Sequence, residues 1–290
     1  MVLLNGFYRK LHEYGVLVMF QHTIFSFSFA IVAMLLAAGG IPDWTILVII
    51  VVTLLAARTG ANAINRVIDA EIDKKNPRTA TRQIPKGEIG KREVILLSAL
   101  CFLITFAPAF WLNPLCALLS PVAVFFMIIY SYTKRFTPLC HLILGFTCSI
   151  APVGAWLAIT GEFAWTPIFM AGANMFWVAG FDIIYGAQDV EFDKANGLHS
   201  IATEFGVDFG LAISTFFHVI ALFCLVVVGL LTPEFGWIYY SGIAVILGLF
   251  ILEHVVVGPE NLKHATFASY NVNELVSIIL LGCGVIDIFI

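Results

Sequence analysis

Residues 69–76 read Asp-Ala-Glu-Ile-Asp-Lys-Lys-Asn, and residues 189–196 repeat the pattern as Asp-Val-Glu-Phe-Asp-Lys-Ala-Asn. Five positions are identical at a constant offset of 120 residues, beginning with Asp69 and Asp189. Four apolar runs separate the copies, each close to the roughly 20 residues that a membrane-spanning helix needs. An even number of crossings returns the chain to the same face of the membrane. The sequence therefore predicts a parallel internal repeat rather than an inverted one.

The composition of the whole chain agrees with a membrane protein. Of its 290 residues, 60% are hydrophobic and 12% charged, whereas a soluble domain carries about 25% charged residues. The apolar runs are long and continuous, which favours helices over the alternating strands of a barrel. Nine spans are predicted, near 16–38, 44–66, 93–112, 115–133, 138–160, 164–187, 209–231, 236–257 and 271–290. We expect an all-α polytopic protein with one domain over residues 1–290.

Lysine and arginine residues predict the orientation in the membrane. Seven of the 15 lie in the loop 74–92, and the loops 39–43, 113–114, 161–163 and 232–235 contain none. Because positively charged loops stay in the cytoplasm, we expect the N-terminus and both acidic segments on that side. The C-terminus then lies on the opposite side. We expect membrane lipid around the bundle and no nucleic-acid partner.

Polar side chains precede and enter both copies of the repeat at helical spacing. They are Asn62, Asn65, Asp69 and Asp73 in the first copy, and Asp182, Tyr185, Asp189 and Asp193 in the second. Each set falls on one face of a helix. Neighbouring carboxylates within a membrane are costly unless a cation lies between them. Carboxylates suit Mg²⁺, so the four acidic residues of the repeat, Asp69, Asp73, Asp189 and Asp193, are predicted to bind Mg²⁺ with a bridging diphosphate.

Basic and aromatic residues surround this predicted metal site. Candidates for binding phosphate are Arg78, Arg82, Lys134, Arg135 and Lys194, although topology alone also explains cytoplasmic cations. Arg58 shares the face of Asn65 and either pairs with an aspartate or binds a substrate carboxylate. Tyr130 either anchors the membrane interface or contacts substrate. His22, in the first span, has a structural and a catalytic interpretation.

Three motifs in this sequence match one family. The first runs from Asn65 through Asp69 and Asp73 to Arg78 and Arg82; the second is Asp182, Tyr185, Asp189 and Asp193; the third is Tyr130, Lys134 and Arg135. The sequence resembles the UbiA superfamily of intramembrane prenyltransferases. It departs from the pattern at Arg66, where many members have Asp, and at Ser28, where related members often have Pro.

The resemblance implies a helical bundle around a central cavity that is capped on the cytoplasmic side. It implies that Mg²⁺ and the aspartates bind a polyprenyl diphosphate, that Lys134 acts in catalysis, and that Arg58 binds an aromatic acid. The stretch 57–66 is most similar to 4-hydroxybenzoate polyprenyltransferases, and also to relatives that prenylate a dihydroxynaphthoate for menaquinone. We therefore expect an enzyme of ubiquinone or menaquinone biosynthesis in a bacterial cytoplasmic membrane.

Two alternatives remain at this level. Another enzyme of the superfamily would use an acceptor such as haem, chlorophyllide or homogentisate. A cation-coupled transporter would have broken helices at mid-membrane and usually inverted repeats. The clustering of acids and bases at the cytoplasmic face favours the enzyme.

Overall fold

A computed structural model of the protein describes Lys10, residues 12–19 and residues 24–290. Every regular element within these ranges is helical. The first six helices are α1 (Ile24–Ala38), α2 (Trp44–Ile68), α3 (Ala70–Lys75), α4 (Lys91–Phe106), α5 (Ala109–Leu112) and α6 (Pro114–Thr133). The next five are α7 (Cys140–Thr160), α8 (Trp165–Gly186), α9 (Val190–Ala195), α10 (Ile201–Phe205) and α11 (Val207–Leu231). The last three are α12 (Trp237–Val256), α13 (Ala265–Phe267) and α14 (Asn273–Phe289). The all-α fold class is confirmed.

The described ranges contain 8 helical segments that are long and apolar enough to cross a membrane. A ninth, α1, has 15 residues and is shorter. The predicted first span began at residue 16, but a turn over Val18–Met19 follows a short helix over 12–17. Met19 has a φ of 52°, so the helix cannot continue through it. His22 lies outside the described residues.

Close helix packing holds the bundle together around α8. This helix packs against α7 on one side and α11 on the other. Gly145 of α7 faces α8 so closely that an added Cβ would lie 2.2 Å from the Met175 carbonyl oxygen. Trp177 of α8 and Tyr239 of α12 are among the largest side chains buried in the same core cluster. The position of α8 is therefore fixed from both sides, which matters because α8 carries the second acidic motif.

The internal repeat is visible in the backbone. In each copy a long helix leads into a six-residue helix, α2 into α3 and α8 into α9. The junction residues, Asp69 and Asp189, have almost the same conformation, with φ, ψ of −89°, 0° and −100°, 2°. Both lie in the sparsely populated bridge region, which is common at functional positions. The parallel repeat predicted from sequence is therefore also a structural repeat.

A ring of tryptophans marks the end of the bundle opposite the acidic segments. Trp44, Trp165 and Trp237 begin α2, α8 and α12, and Trp111 lies near the end of α5. Their exposed fractions range from 71% to 84%. Tryptophan is enriched where a membrane meets water, so this ring fits one interface of an integral membrane protein.

Candidate active site

A polar cavity of about 260 Å³ lies where α2, α6 and α8 end and α7 begins, beside the loop that follows α3. Among its lining residues are Arg58, Asn62, Asn65, Asp69, Asp73, Arg78, Arg82, Tyr130, Lys134, Asp182, Tyr185, Asp189 and Asp193. Residues more than 100 positions apart in the chain thus share one cavity. Two other residues predicted for the site, Arg135 and Lys194, do not line it. Lys194 is exposed, because one step along α9 rotates it by about 100° from Asp193.

The carboxylate of Asp69 is buried and surrounded by donors. Arg135 Nη2 donates to Asp69 Oδ1 at 2.9 Å, and Asn65 Nδ2 donates to Oδ2 at 3.0 Å. Lys134 Nζ lies 3.7 Å from the same Oδ2. Arg135 also donates to the Ile68 carbonyl oxygen, so it lies behind Asp69 and joins α6 to the end of α2. Its position supports Asp69 rather than contacting the cavity.

Asp73 forms a compact ion pair with Arg82. Arg82 Nη1 donates to both carboxylate oxygens, at 2.7 and 2.8 Å. Thr79 Oγ1 donates to the Asp73 backbone carbonyl at 3.1 Å, which folds the following loop back over the short helix α3. The loop therefore brings its own cation to the acidic residue that precedes it.

The same loop connects the two copies of the repeat. Arg78 Nε and Asn76 Nδ2 each donate to Asp189 Oδ1 at 2.9 Å, and the Arg78 Nη groups also contact Asp189 and the Tyr185 hydroxyl. Burial lowers the pKa of Arg78, but hydrogen bonds and charge from Asp189 and Tyr185 outweigh burial and raise the pKa above its ordinary value. Arg78 is therefore charged at any physiological pH.

Asp182 is paired with a histidine that sequence reasoning missed. His141 Nδ1 lies 2.6 Å from Asp182 Oδ2, and His141 is buried. His141 Nε2 has no hydrogen-bond partner in the described ranges and packs close to Gly186, where an added Cβ would lie 2.8 Å from His141 Cε1. His141 and Asp182 are 41 positions apart, and no spacing pattern in the sequence links them.

The carboxylates that line the cavity suit a metal ion that binds together with the substrate better than a metal site built from protein ligands alone. Within the described parts of the chain, no three His, Cys, Asp or Glu side chains are grouped to hold a metal ion. Arginine or lysine pairs with Asp69, Asp73 and Asp189, while the Asp193 carboxylate has no such partner there. Mg²⁺ typically takes one or two carboxylates and completes its shell with water and substrate phosphate.

A second, apolar cavity of about 610 Å³ continues from the polar one into the bundle. The two cavities share five lining residues, which are Arg58, Asn62, Tyr130, Leu144 and Cys148. From there the apolar cavity extends between α2, α6, α7 and α8 to Phe163, at the opposite end of the bundle. Arg58 Nε is buried at the junction without a hydrogen-bond partner among the described residues. This arrangement suits a ligand with an anionic head and a long apolar tail.

Comparison with known proteins identifies the family. The UbiA prenyltransferase family matches residues 26–274. The chain is 32% identical over 227 residues to a 4-hydroxybenzoate octaprenyltransferase of Shewanella oneidensis, covering 78% of this chain and 79% of the relative. It is 31% identical over 248 residues to the enzyme of that name from Vibrio campbellii, covering 86% of each.

Solved structures show the same fold. The apo structure of a UbiA homolog from Aeropyrum pernix K1 is 32% identical, with a TM-score of 0.82, covering 92% of this chain and 97% of that one. A UbiA homolog from Archaeoglobus fulgidus bound to DMAPP and Mg²⁺ is 19% identical, with a TM-score of 0.65, covering 93% and 99%, and supports the fold alone. With its apolar helices and its family match over most of its length, this chain is an integral membrane prenyltransferase and belongs to the UbiA prenyltransferase family.

Proposed function

We propose that the protein transfers a polyprenyl group from polyprenyl diphosphate to an aromatic acid, with 4-hydroxybenzoate as the first candidate, in quinone biosynthesis. The observation that carries the proposal is the continuity of the two cavities. One is lined by acidic and basic residues, and the other is apolar. The names of the Shewanella and Vibrio relatives support the choice of acceptor.

The polar cavity would bind the diphosphate. Arg78, Arg82 and Lys134 line it, and each lies within 4.0 Å of an aspartate carboxylate. Phosphate oxygens accept strong charge-assisted hydrogen bonds from such groups, so an entering diphosphate competes with the aspartates for them. The residues that would then hold Mg²⁺ are Asp69, Asp73, Asp189 and Asp193, with Asn65 and Asp182 supporting the grip on the diphosphate. When bound, Mg²⁺ supplies positive charge against the departing diphosphate.

The reaction then depends on charge stabilisation and on the exclusion of water. The allylic C–O bond breaks, and its electron pair leaves with the diphosphate, whose charge Arg78, Arg82 and Lys134 stabilise. The apolar cavity holds the prenyl chain away from water, which would otherwise capture the allylic cation. A π pair of the acceptor ring forms the new C–C bond next to the hydroxyl, and the ring loses a proton.

Arg58 would orient the acceptor. Its Nε atom lacks a partner among the described residues at the junction of the two cavities, beside Tyr130. A carboxylate is the anion that best matches the planar fork of a guanidinium group. An aromatic acid held by Arg58 would present its ring near the point where the head and tail of the prenyl substrate meet.

Product identification tests this function directly. Membranes containing the protein are incubated with a labelled polyprenyl diphosphate and Mg²⁺, and with 4-hydroxybenzoate or 1,4-dihydroxy-6-naphthoate in separate reactions. We expect a prenylated acid of the corresponding mass, lost on chelation and restored by added Mg²⁺. If the labelled chain is joined to neither acid, the proposed acceptor class is wrong. Cation uptake without any covalent product would instead favour a transporter.

A further inference from the structure

Arg66 lines the polar cavity but has no ion pair in the part of the chain that the structure describes. Its Nε atom donates to the Leu17 carbonyl oxygen at 3.2 Å. Its two Nη groups have no hydrogen-bond partner among the described residues. Arg66 is therefore a cavity-lining cation with two donor groups that the described residues leave unused.

The other cations at this site differ from Arg66 in their surroundings. Arg78 pairs with Asp189, Arg82 with Asp73, and Lys134 and Arg135 with Asp69. Of the cavity-lining arginines, Arg58 and Arg66 have no carboxylate within 4.0 Å in the described ranges. A charge held inside a membrane protein without a counterion is costly, so an anion is expected to bind beside it.

Arg58 and Arg66 act on the same region of the cavity. They lie on α2, eight residues or about 12 Å apart along the helix axis, and both precede Asp69 and Asp73. Both line the polar cavity together with Tyr130, which lies on the facing helix α6. They therefore form a positive region on the inner side of the acidic motif, next to the mouth of the apolar cavity.

We propose that Arg66 is a specificity-determining residue that binds the carboxylate of the aromatic acceptor through its Nη groups, together with Arg58. The inference rests on the proposed function and adds a second arginine to the acceptor subsite. Two guanidinium groups select acidic acceptors over neutral phenols, because a neutral acceptor leaves both charges without a counterion. The diphosphate retains its own cations, Arg78, Arg82 and Lys134.

A purely structural role for Arg66 has to be separated from this one. Arg66 Nε and Asn62 Nδ2 donate to the Leu17 and Val18 carbonyl oxygens, the latter at 2.6 Å, and so hold the N-terminal segment 12–19 against α2. Tyr14 holds the same segment from outside the cavity, through a hydrogen bond of 2.8 Å from its hydroxyl to Glu93. Tyr14→Phe therefore loosens the segment without changing the charge of the cavity.

The test compares an acidic acceptor with its neutral amide. Wild type, Arg66→Gln, Arg66→Lys and Tyr14→Phe are assayed in membranes with one polyprenyl diphosphate and either 4-hydroxybenzoate or 4-hydroxybenzamide. If the amide is not prenylated, its inhibition constant against 4-hydroxybenzoate replaces KM. We expect Arg66→Gln to raise KM for the acid about 10-fold or more, the loss typical of a charge-assisted hydrogen bond. KM for the amide, or its inhibition constant, should change by less than about 3-fold. Arg66→Lys should restore part of the preference, and Tyr14→Phe should keep the wild-type preference.

Each other outcome overturns the inference in a distinguishable way. If Arg66→Gln raises KM for the acid and for the amide by the same factor, Arg66 only anchors the N-terminal segment. A raised KM for the prenyl diphosphate alone would assign Arg66 to the diphosphate. If the wild-type protein prenylates neither 4-hydroxybenzoate nor 1,4-dihydroxy-6-naphthoate, the proposed function itself is refuted. If the wild-type protein is active and Arg66→Gln keeps the same preference for the acid over the amide, only the role of Arg66 is refuted.

Discussion

At the scale of single residues, three of the four aspartates of the acidic repeat are paired with cations before any ligand binds. Asp69, Asp73 and Asp189 each lie within 4.0 Å of a basic side chain, and Asp189 also accepts a hydrogen bond from Asn76. Without such partners, carboxylates at the end of a membrane helix would repel one another and bind protons. The pairing balances their negative charge and leaves them available to exchange partners when a diphosphate arrives.

Replacing Asp189 should remove catalysis without unfolding the protein. In Asp189→Asn the side chain keeps its size but loses the charge that faces Arg78, so we expect the rate of prenyl transfer to fall about 100-fold or more. Glu191→Gln is the matched control, because Glu191 belongs to the same repeat but is exposed and does not line the cavity. Transfer is measured with labelled prenyl diphosphate at saturating acceptor. A fully active Asp189→Asn would rule out a catalytic role for the second motif.

His141 should matter through Asp182. In His141→Phe, Asp182 loses the ring nitrogen at 2.6 Å that orients it, so we expect kcat to fall about 10-fold or more while KM for the acceptor changes less. His141→Gln offers an amide donor in place of the ring and should recover part of kcat. His264→Gln, at an exposed histidine on the same side of the bundle, serves as the control. Equal activity of His141→Phe and His264→Gln would show that the pair is only structural.

At the scale of helices, the position of the second motif depends on how closely α8 approaches its neighbours. Gly145 of α7 lies against the α8 backbone, and an added Cβ at Gly180 of α8 would lie 2.4 Å from the ring of His218. Ser214 Oγ of α11 also donates to the Gly180 carbonyl oxygen at 2.7 Å. Small residues of this kind let membrane helices pack closely, because van der Waals contact replaces the hydrophobic effect inside a bilayer.

Adding one methyl group at this contact should destabilise the bundle. In Gly145→Ala the new Cβ would meet a backbone carbonyl at 2.2 Å, so α7 and α8 have to separate, and overpacking of this type costs about 1–3 kcal/mol. Gly248→Ala is the control, because Gly248 is exposed on α12 and has nothing within 4 Å of an added Cβ. Alanine favours helix over glycine by about 1 kcal/mol, so the control should be neutral or stabilising. Thermal unfolding in detergent should show a lower Tm for Gly145→Ala alone.

At the scale of the whole molecule, charge and tryptophan give the bundle two different ends. The loop after α3 carries lysine and arginine residues beside the polar cavity, and the tryptophan ring lies at the other end. The positively charged loop favours the cytoplasmic location of the cavity that we propose for a bacterial inner membrane, and the tryptophan ring fits the interface at the other end. A diphosphate substrate made in the cytoplasm would then reach the cavity without crossing the bilayer.

Accessibility of introduced cysteines tests this orientation. Glu88 lies on the positively charged loop and Glu162 between α7 and α8, and both residues are exposed. In a variant without the native cysteines, we expect a membrane-impermeant thiol reagent to label Glu162→Cys in intact cells, and Glu88→Cys only in inverted vesicles. The reverse pattern would place the polar cavity on the outer side of the membrane and contradict the proposed orientation.

Much of the fold and most residues of the candidate site could be predicted from local sequence, whereas the partners of those residues could not. The spacing of Asn65, Asp69 and Asp73 is a property of one helix, and all three do line the cavity. Lys194 followed the motif in sequence but faces solvent, since the rotation of α9 decides where it points. The domain assignment of 1–290 and the catalytic roles of the site residues stay predictions until they are measured.

The amino-acid sequence alone determined that this chain is a helical membrane protein with a parallel repeat, because apolar length and helical periodicity act within short segments. Only the tertiary structure decided that Arg78 reaches across 111 residues to Asp189, that His141 supports Asp182, and that the chain turns at Met19 before α1. These features depend on which helices pack together and at what depth. Packing is a collective result of side-chain shape along the whole chain, and no single stretch of sequence contains it.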